Sequence, residues 1–164
     1  MRKVVVASAC LVGFRCRYDG TGSSIPAIVK AFSKGFVIPL CPEQLGGLPT
    51  PRTPAMLKGG DGRKVVEGSG RVLTIAQPPV DVTAHFLKGA YETLRALSAL
   101  KGVVAGCVFK EKSPSCGVRL VYDFDSGATV EGSGVTTALL LDEGFKIISS
   151  EDGEGVEKLL GEVE

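Results

Sequence analysis

What this chain has little of narrows its function first. No apolar run approaches the roughly 18 to 20 residues of a membrane-spanning helix. There is no long basic run: 19 Lys and Arg face 18 Asp and Glu, for a net charge of +1. A nucleic-acid partner, which needs a concentrated cationic surface, is not expected. No C-x-x-C pair occurs, which disfavours zinc ribbons and thioredoxin-type redox sites. The single histidine leaves a mononuclear catalytic zinc short of imidazole ligands. Five cysteines, an odd number, do not close a disulfide framework. Neither an internal repeat nor a linker interrupts the chain, so residues 1–164 read as one domain long enough to bury a proper core.

Ala9-Cys10, following a basic and apolar stretch, has the look of a lipoprotein cleavage site. The apolar portion, Val4 to Ala9, falls short of the roughly 7 to 15 residues of a signal-peptide core. A buried first strand is expected instead, with a cytoplasmic location where thiols stay reduced.

Glycine and proline are plentiful, 22 and nine, and they punctuate periodic segments. Val4–Val6, Phe36–Leu40 and Val103–Phe109 are short continuous apolar runs, as strands covered on both faces require. Ile25, Ile28, Val29 and Phe32 recur at helical spacing behind a cap at Ser23 or Ser24. A longer stripe, from Val82 and Phe86 through Ala90 to Leu97 and Leu100, follows a cap at Asp81. Val118–Phe124 and Phe145–Ile148 read as further strands, Ser133 as the cap of a helix reaching Leu141, and Glu154–Leu160 as a terminal helix. Such alternation predicts a three-layer α/β fold with a mostly parallel sheet, Rossmann-like or flavodoxin-like. A small hairpin is expected within 60–76, from Val65-Val66 against Val72–Ile75. The glycine-rich stretch 53–79 reads either as a lid over a site or as the contact of a homodimer.

Cys10, Cys41 and Cys116 each fall just past a predicted strand. In a parallel sheet the carboxyl ends share one edge, where ligand sites collect, so these distant residues can converge. Soft thiolates select zinc, cuprous copper or iron–sulfur clusters, although each cysteine alone also reads as a semi-buried structural residue. Cys107 lies inside an apolar strand and reads as a small buried hydrophobe. Cys16, between Arg15 and Arg17, is a fourth ligand, a redox-active thiol or a spare. Glu43 can take a proton from water, and Ser113 and Ser115 can relay one; otherwise they are a solvated loop acid and two turn formers. Arg17, Asp19 and Arg52 either orient a polar substrate or hold loops by ion pairing. His85 reads as a helix-face residue. EGSGVTT, at 131–137, is a helix start that binds an anion or simply caps.

Together and in order, SACLVG with CRYDG, CPEQLGGLPTPR, DVTAHFLKGA, KEKSPSCG and GSGVTTALLLDEG resemble the domain of unknown function 523 family, which includes thiouracil desulfidases. The resemblance runs from Lys3 to Glu151, essentially the whole chain. It implies a four-iron, four-sulfur cluster held by three cysteines, by motif position Cys10, Cys41 and Cys116. The iron without a protein ligand would take the sulfur of the substrate. Glu43 is implied as the group that activates water and Ser113 as the proton relay, with Cys16 spare. The implied substrate is a small thiolated pyrimidine such as 4-thiouracil, or a related thioamide, giving uracil and sulfide without net electron transfer. Two rival readings stand beside it. One is a closed four-cysteine iron–sulfur or zinc site that includes Cys16 and has no desulfurase activity. The other is a nucleotide-binding module built on the helix start at Gly134.

Overall fold

Val5, Val6 and Ala7 are all fully buried, although successive strand residues point to opposite faces. The sheet that holds them must therefore be covered on both sides. This computed structural model describes residues Met1–Glu164. Strand β1 (Val4–Ser8) runs into a 3-10 turn (Ala9–Val12) and on to helix α1 (Pro26–Ser33). Next come β2 (Val37–Leu40), the one-turn α2 (Pro42–Leu45), β3 (Ala55–Lys58), α3 (Gly62–Val66) and β4 (Arg71–Thr74). The long α4 (Thr83–Ala99) leads to β5 (Val104–Phe109), β6 (Leu120–Tyr122) and β7 (Thr129–Glu131). The chain ends with α5 (Val135–Asp142), β8 (Ile147–Ser149) and α6 (Gly153–Gly161).

The central sheet has the order β2-β1-β5-β8, parallel throughout. On one face Val5, Ala7 and Val108 pack with Ile28 of α1 and Leu159 of α6. On the other, Val6, Cys107 and Phe109 meet Leu97 of α4 and Leu140 of α5. This is the three-layer α/β arrangement the apolar runs predict. From β1 the chain passes to β2 on one side and later returns to β5 on the other. The strand order thus reverses between β1 and β5, and a crevice opens at their carboxyl ends.

Where local reading and structure differ, packing decides. The hairpin pairs β3 with β4, Met56 opposite Leu73 and Leu57 opposite Val72, so Val65-Val66 is not its partner strand. Those valines close α3, which is started by Asp61 Oδ1 accepting the Arg63 N–H at 3.1 Å. Valine favours strands, but the cap and the burial of Val65 among Leu57, Val72 and Phe86 outweigh that preference. The expected strand 118–124 shrinks to 120–122: a carboxylate takes the amides of residues 118 and 119 at one end, and at the other Asp123 opens a turn, its carbonyl accepting the Gly127 N–H at 2.8 Å. Helix α1 begins at Pro26 behind Ile25 rather than behind a serine cap, since proline tolerates the first helical position. Helix α4 likewise starts behind Val82 rather than behind an Asp81 cap, with Asp81 one residue further out accepting the Thr83 N–H at 2.9 Å. No helix is long and apolar enough to cross a membrane.

Candidate functional site

Three parallel strands deliver three thiols to one edge. Cys10 sits in the 3-10 turn after β1, where its carbonyl accepts from Gly13 and Ser23 at 3.1 and 2.8 Å. Gly13, at φ 108°, closes that turn in a conformation side chains resist. Cys41 directly follows β2 and precedes α2, while Cys116 lies in the loop after β5. All three line one cavity of about 440 Å³, together with Glu43, Ser113 and Ser115. The convergence expected from strand ends is realised.

Helix α2 aims Glu43. It lies against α4 at two glycines: a Cβ on Gly46 would collide with the His85 carbonyl, and one on Gly89 with that of Pro42. His85 Nδ1 adds a 2.9 Å hydrogen bond to the Gly46 carbonyl, so the lone histidine holds this helix end rather than facing the cavity. Arg52 Nε donates to Glu43 Oε1 at 3.0 Å, and its side chain is only 7% exposed. The same guanidinium donates to the carbonyls of Cys16 at 2.8 Å and Pro49 at 3.2 Å. Arg52 thus ties the carboxylate to two loops, the second of the two roles open to it.

Glu43 Oε2 accepts the Ser115 hydroxyl at 2.8 Å, whereas Ser113 stands 3.5 Å away. The two hydroxyls share a 3.0 Å hydrogen bond, and Ser115 Oγ lies 3.7 Å from Cys116 Sγ. Ser113 Oγ also accepts the Cys116 N–H at 3.1 Å. The result is a continuous string of exchangeable groups, Glu43–Ser115–Ser113. Ser115, read with Ser113 as either a relay or a turn former, is the serine in direct contact.

Two clamps shape the Ser113–Cys116 loop, and neither shows in spacing alone. Glu111 is 2% exposed, and its Oε1 accepts the backbone N–H groups of Val118, Arg119 and Leu120 at 2.7, 3.0 and 3.1 Å. Burial works to raise its carboxyl, but the Ser149 hydroxyl and these amides outweigh it and hold the group below the ordinary range. The second clamp is the start of α5. Val135 and Thr136 N–H groups donate to the Pro114 and Ser115 carbonyls, both at 2.9 Å, and a Cβ on Gly134 would strike Ser115. These amides are consumed by the loop, so the helix start at 131–137 does not offer the anion site that a nucleotide module would need.

Cys16, Cys41 and Cys116 are all shifted toward the protonated thiol. Cys16 is buried and lines the cavity, and its carbonyl accepts the Cys41 thiol at 3.9 Å. The neighbouring Cys10 thiol does most to push the Cys16 thiol up. Cys41 is raised chiefly by the Cys16 thiol, then by burial. Burial pushes Cys116 up to about 12, against hydrogen bonds from Ser8 and Ser115. Cys107 is pushed to about 12 by burial and stays in the core among Leu97 and Phe109, the apolar role expected of it. Asp19 serves its own loop, accepting Thr21 Oγ1 and N–H at 2.6 and 3.0 Å.

No three His, Cys, Asp or Glu side chains surround a single point as one metal ion requires, since thiolate–zinc bonds are all about 2.3 Å. A polynuclear cluster spreads its ligands over several irons instead. Cysteines from three separate elements around a 440 Å³ cavity fit that demand, and the all-sulfur donor set is of the right softness.

Residues 5–152 match the family model described as 2-thiouracil desulfurase. YbbK of Bacillus subtilis (strain 168), whose own name assigns it no activity, is 37% identical over 150 residues, covering 91% of this chain and 97% of YbbK. Among solved structures, the [4Fe-4S]-dependent thiouracil desulfidase TudS superposes with a TM-score of 0.81 at 34% identity, covering 99% of this chain and 100% of TudS.

Proposed function

The chain belongs to the 2-thiouracil desulfurase family and is an enzyme that removes sulfur from thiouracil; from that premise we propose a non-redox, cluster-dependent reaction with 4-thiouracil or a close relative as substrate. The observation that carries this reading is the meeting of Cys10, Cys41 and Cys116 in one cavity with Glu43 and its two serines. A four-iron, four-sulfur cluster, like that of the related TudS, would be held by those three cysteines and would supply a soft Lewis acid for the thiocarbonyl sulfur.

The remaining work falls to the chain's own groups. Glu43, held by Arg52, takes a proton from the water that adds to the thiocarbonyl carbon. Ser115 and Ser113 pass a proton between Glu43 and the substrate, because a hydroxyl both donates and accepts. The carbon–sulfur bond breaks as the carbon–oxygen bond forms. Water and thiouracil become uracil and hydrogen sulfide, and no electrons are left over.

Anaerobic reconstitution should give about four irons per chain and sulfide release from 4-thiouracil, both lost in Cys41→Ser and Cys116→Ser. Fully loaded protein that frees no sulfide from any thiopyrimidine would sink the proposal. One observation favours a second reading: Cys16 lines the same cavity as the three thiols, and its carbonyl accepts the Cys41 thiol at 3.9 Å, as a closed four-thiolate site would place it. Cys16→Ser separates the two. Retained iron supports the open site, and loss of metal supports the closed one.

A further inference from the structure

The cavity has a second side that the thiols do not explain. Alternation along β3, β4 and β6 divides their side chains between two faces. Leu57, Val72 and Val121 point inward and are buried in one core. Met56, Tyr122 and Ile75, the residue after β4, lie on the opposite face, and all three line the cavity that the cysteines line. Their support is continuous: the Phe124 N–H donates to the Leu57 carbonyl at 2.8 Å, and the Ile75 N–H to that of Pro54 at 3.0 Å. The outer face of a small antiparallel sheet is ordinarily polar. Here Ile75 is 47% and Tyr122 39% exposed, so apolar surface stands open within the site.

We propose that Met56, Ile75 and Tyr122 form a platform for the flat face of a thio-heterocycle, and that this platform selects ring thiocarbonyls over acyclic thioamides. The inference rests on the desulfurase reading and deepens it. A pyrimidine has two weakly polar faces and a polar edge that carries its nitrogens and sulfur. Resting one face on an isoleucine, a thioether and a phenol ring removes apolar area from water, and both the sulfur and the aromatic ring pack well against a π-face. The edge then stays free for the thiol side. An acyclic thioamide carries the same carbon–sulfur bond but covers little of the platform, so it meets the chemistry without being oriented for it. The β3–β4 hairpin thereby acquires a use as a specificity wall.

The test compares cluster-loaded wild type with Ile75→Ala and Tyr122→Ala, both at part-exposed positions. Rates are measured on 4-thiouracil and on thioacetamide, and uracil affinity by calorimetry. Wild type should favour 4-thiouracil by about 100-fold in kcat/KM. Each variant should raise the KM for 4-thiouracil and the Kd for uracil about tenfold, the scale of deleted apolar contacts in a pocket, and narrow the preference over thioacetamide by the same factor. Unchanged KM and uracil affinity in both variants, at wild-type iron content and circular dichroism, would overturn the platform. So would wild-type enzyme that binds no uracil. Uracil binding that depends on the platform, without sulfide release from 4-thiouracil, would instead overturn the desulfurase reading and leave the platform standing.

Discussion

The two carboxylates that flank the Ser113–Cys116 loop differ in what donates to them. Glu111 collects backbone amides: Lys112, Val118, Arg119 and Leu120 on Oε1, with only the Ser149 hydroxyl, at 2.5 Å, on Oε2. Glu43 collects side chains, the Arg52 guanidinium on Oε1 and the Ser115 hydroxyl on Oε2 with Ser113 behind it, and its side chain keeps 15% exposure to the cavity. An amide can neither turn around nor accept, so Glu111 is a fixed anchor that bends the loop. A hydroxyl can reverse its sense, so Glu43 sits at the end of a path along which a proton can move. Burial and charge alone would have ranked Glu111 as the more unusual acid; donor type separates anchor from base.

The sharpest way to break this contrast is Glu43→Gln. Sulfide release should fall about a thousandfold, within the range for losing a general base, while iron content stays near wild type. Retained activity would remove the distinction. Next in size, Ser115→Ala and Ser113→Ala should each lower kcat about 100-fold. The double variant should be little worse than either single one, because one interrupted path cannot be interrupted twice; additive losses would count against a shared relay.

Glu111→Gln should do the reverse. Unfolding free energy should drop by about 2 kcal/mol, the scale for hydrogen bonds to a charged group, with activity per bound cluster changed far less than in the Glu43 variant. The smallest effect is in pH. Glu111 lies below its ordinary value of 4.5 in the folded protein. Its contribution is therefore fully present above the unfolded pKa and is lost as pH falls through the lower folded one. The stability gap between wild type and Glu111→Gln should hold steady above about pH 5 and narrow in more acid solution; a gap that widens there would show the sign to be wrong.

Much of the frame was legible along the chain. Unbroken valine-rich runs mark strands buried on both faces, and a parallel sheet sends their ends to one edge, so the meeting of Cys10, Cys41 and Cys116 follows from order and pattern. The motifs around them carry the family resemblance. The hairpin partner of Val72 was not legible, because Leu57 and Val65 are equally apolar and only the capped turn at Asp61 and the core packing choose between them. Nor was Glu111, which reads as one charge in a charged loop until its amides close around it.

The central strands β1, β2 and β5, the cysteine positions and the candidate acid Glu43 were thus determined by the sequence itself, because they depend on residue type and local period. Tertiary structure alone decided that Ser115 rather than Ser113 touches Glu43, that Cys16 joins the thiols, and that the α5 amides serve the loop instead of a ligand. Those outcomes rest on hydrogen bonds between side chains and backbones far apart in the chain, such as the 72 residues from Glu43 to Ser115. No local pattern encodes such a contact; it exists only once the layers have packed.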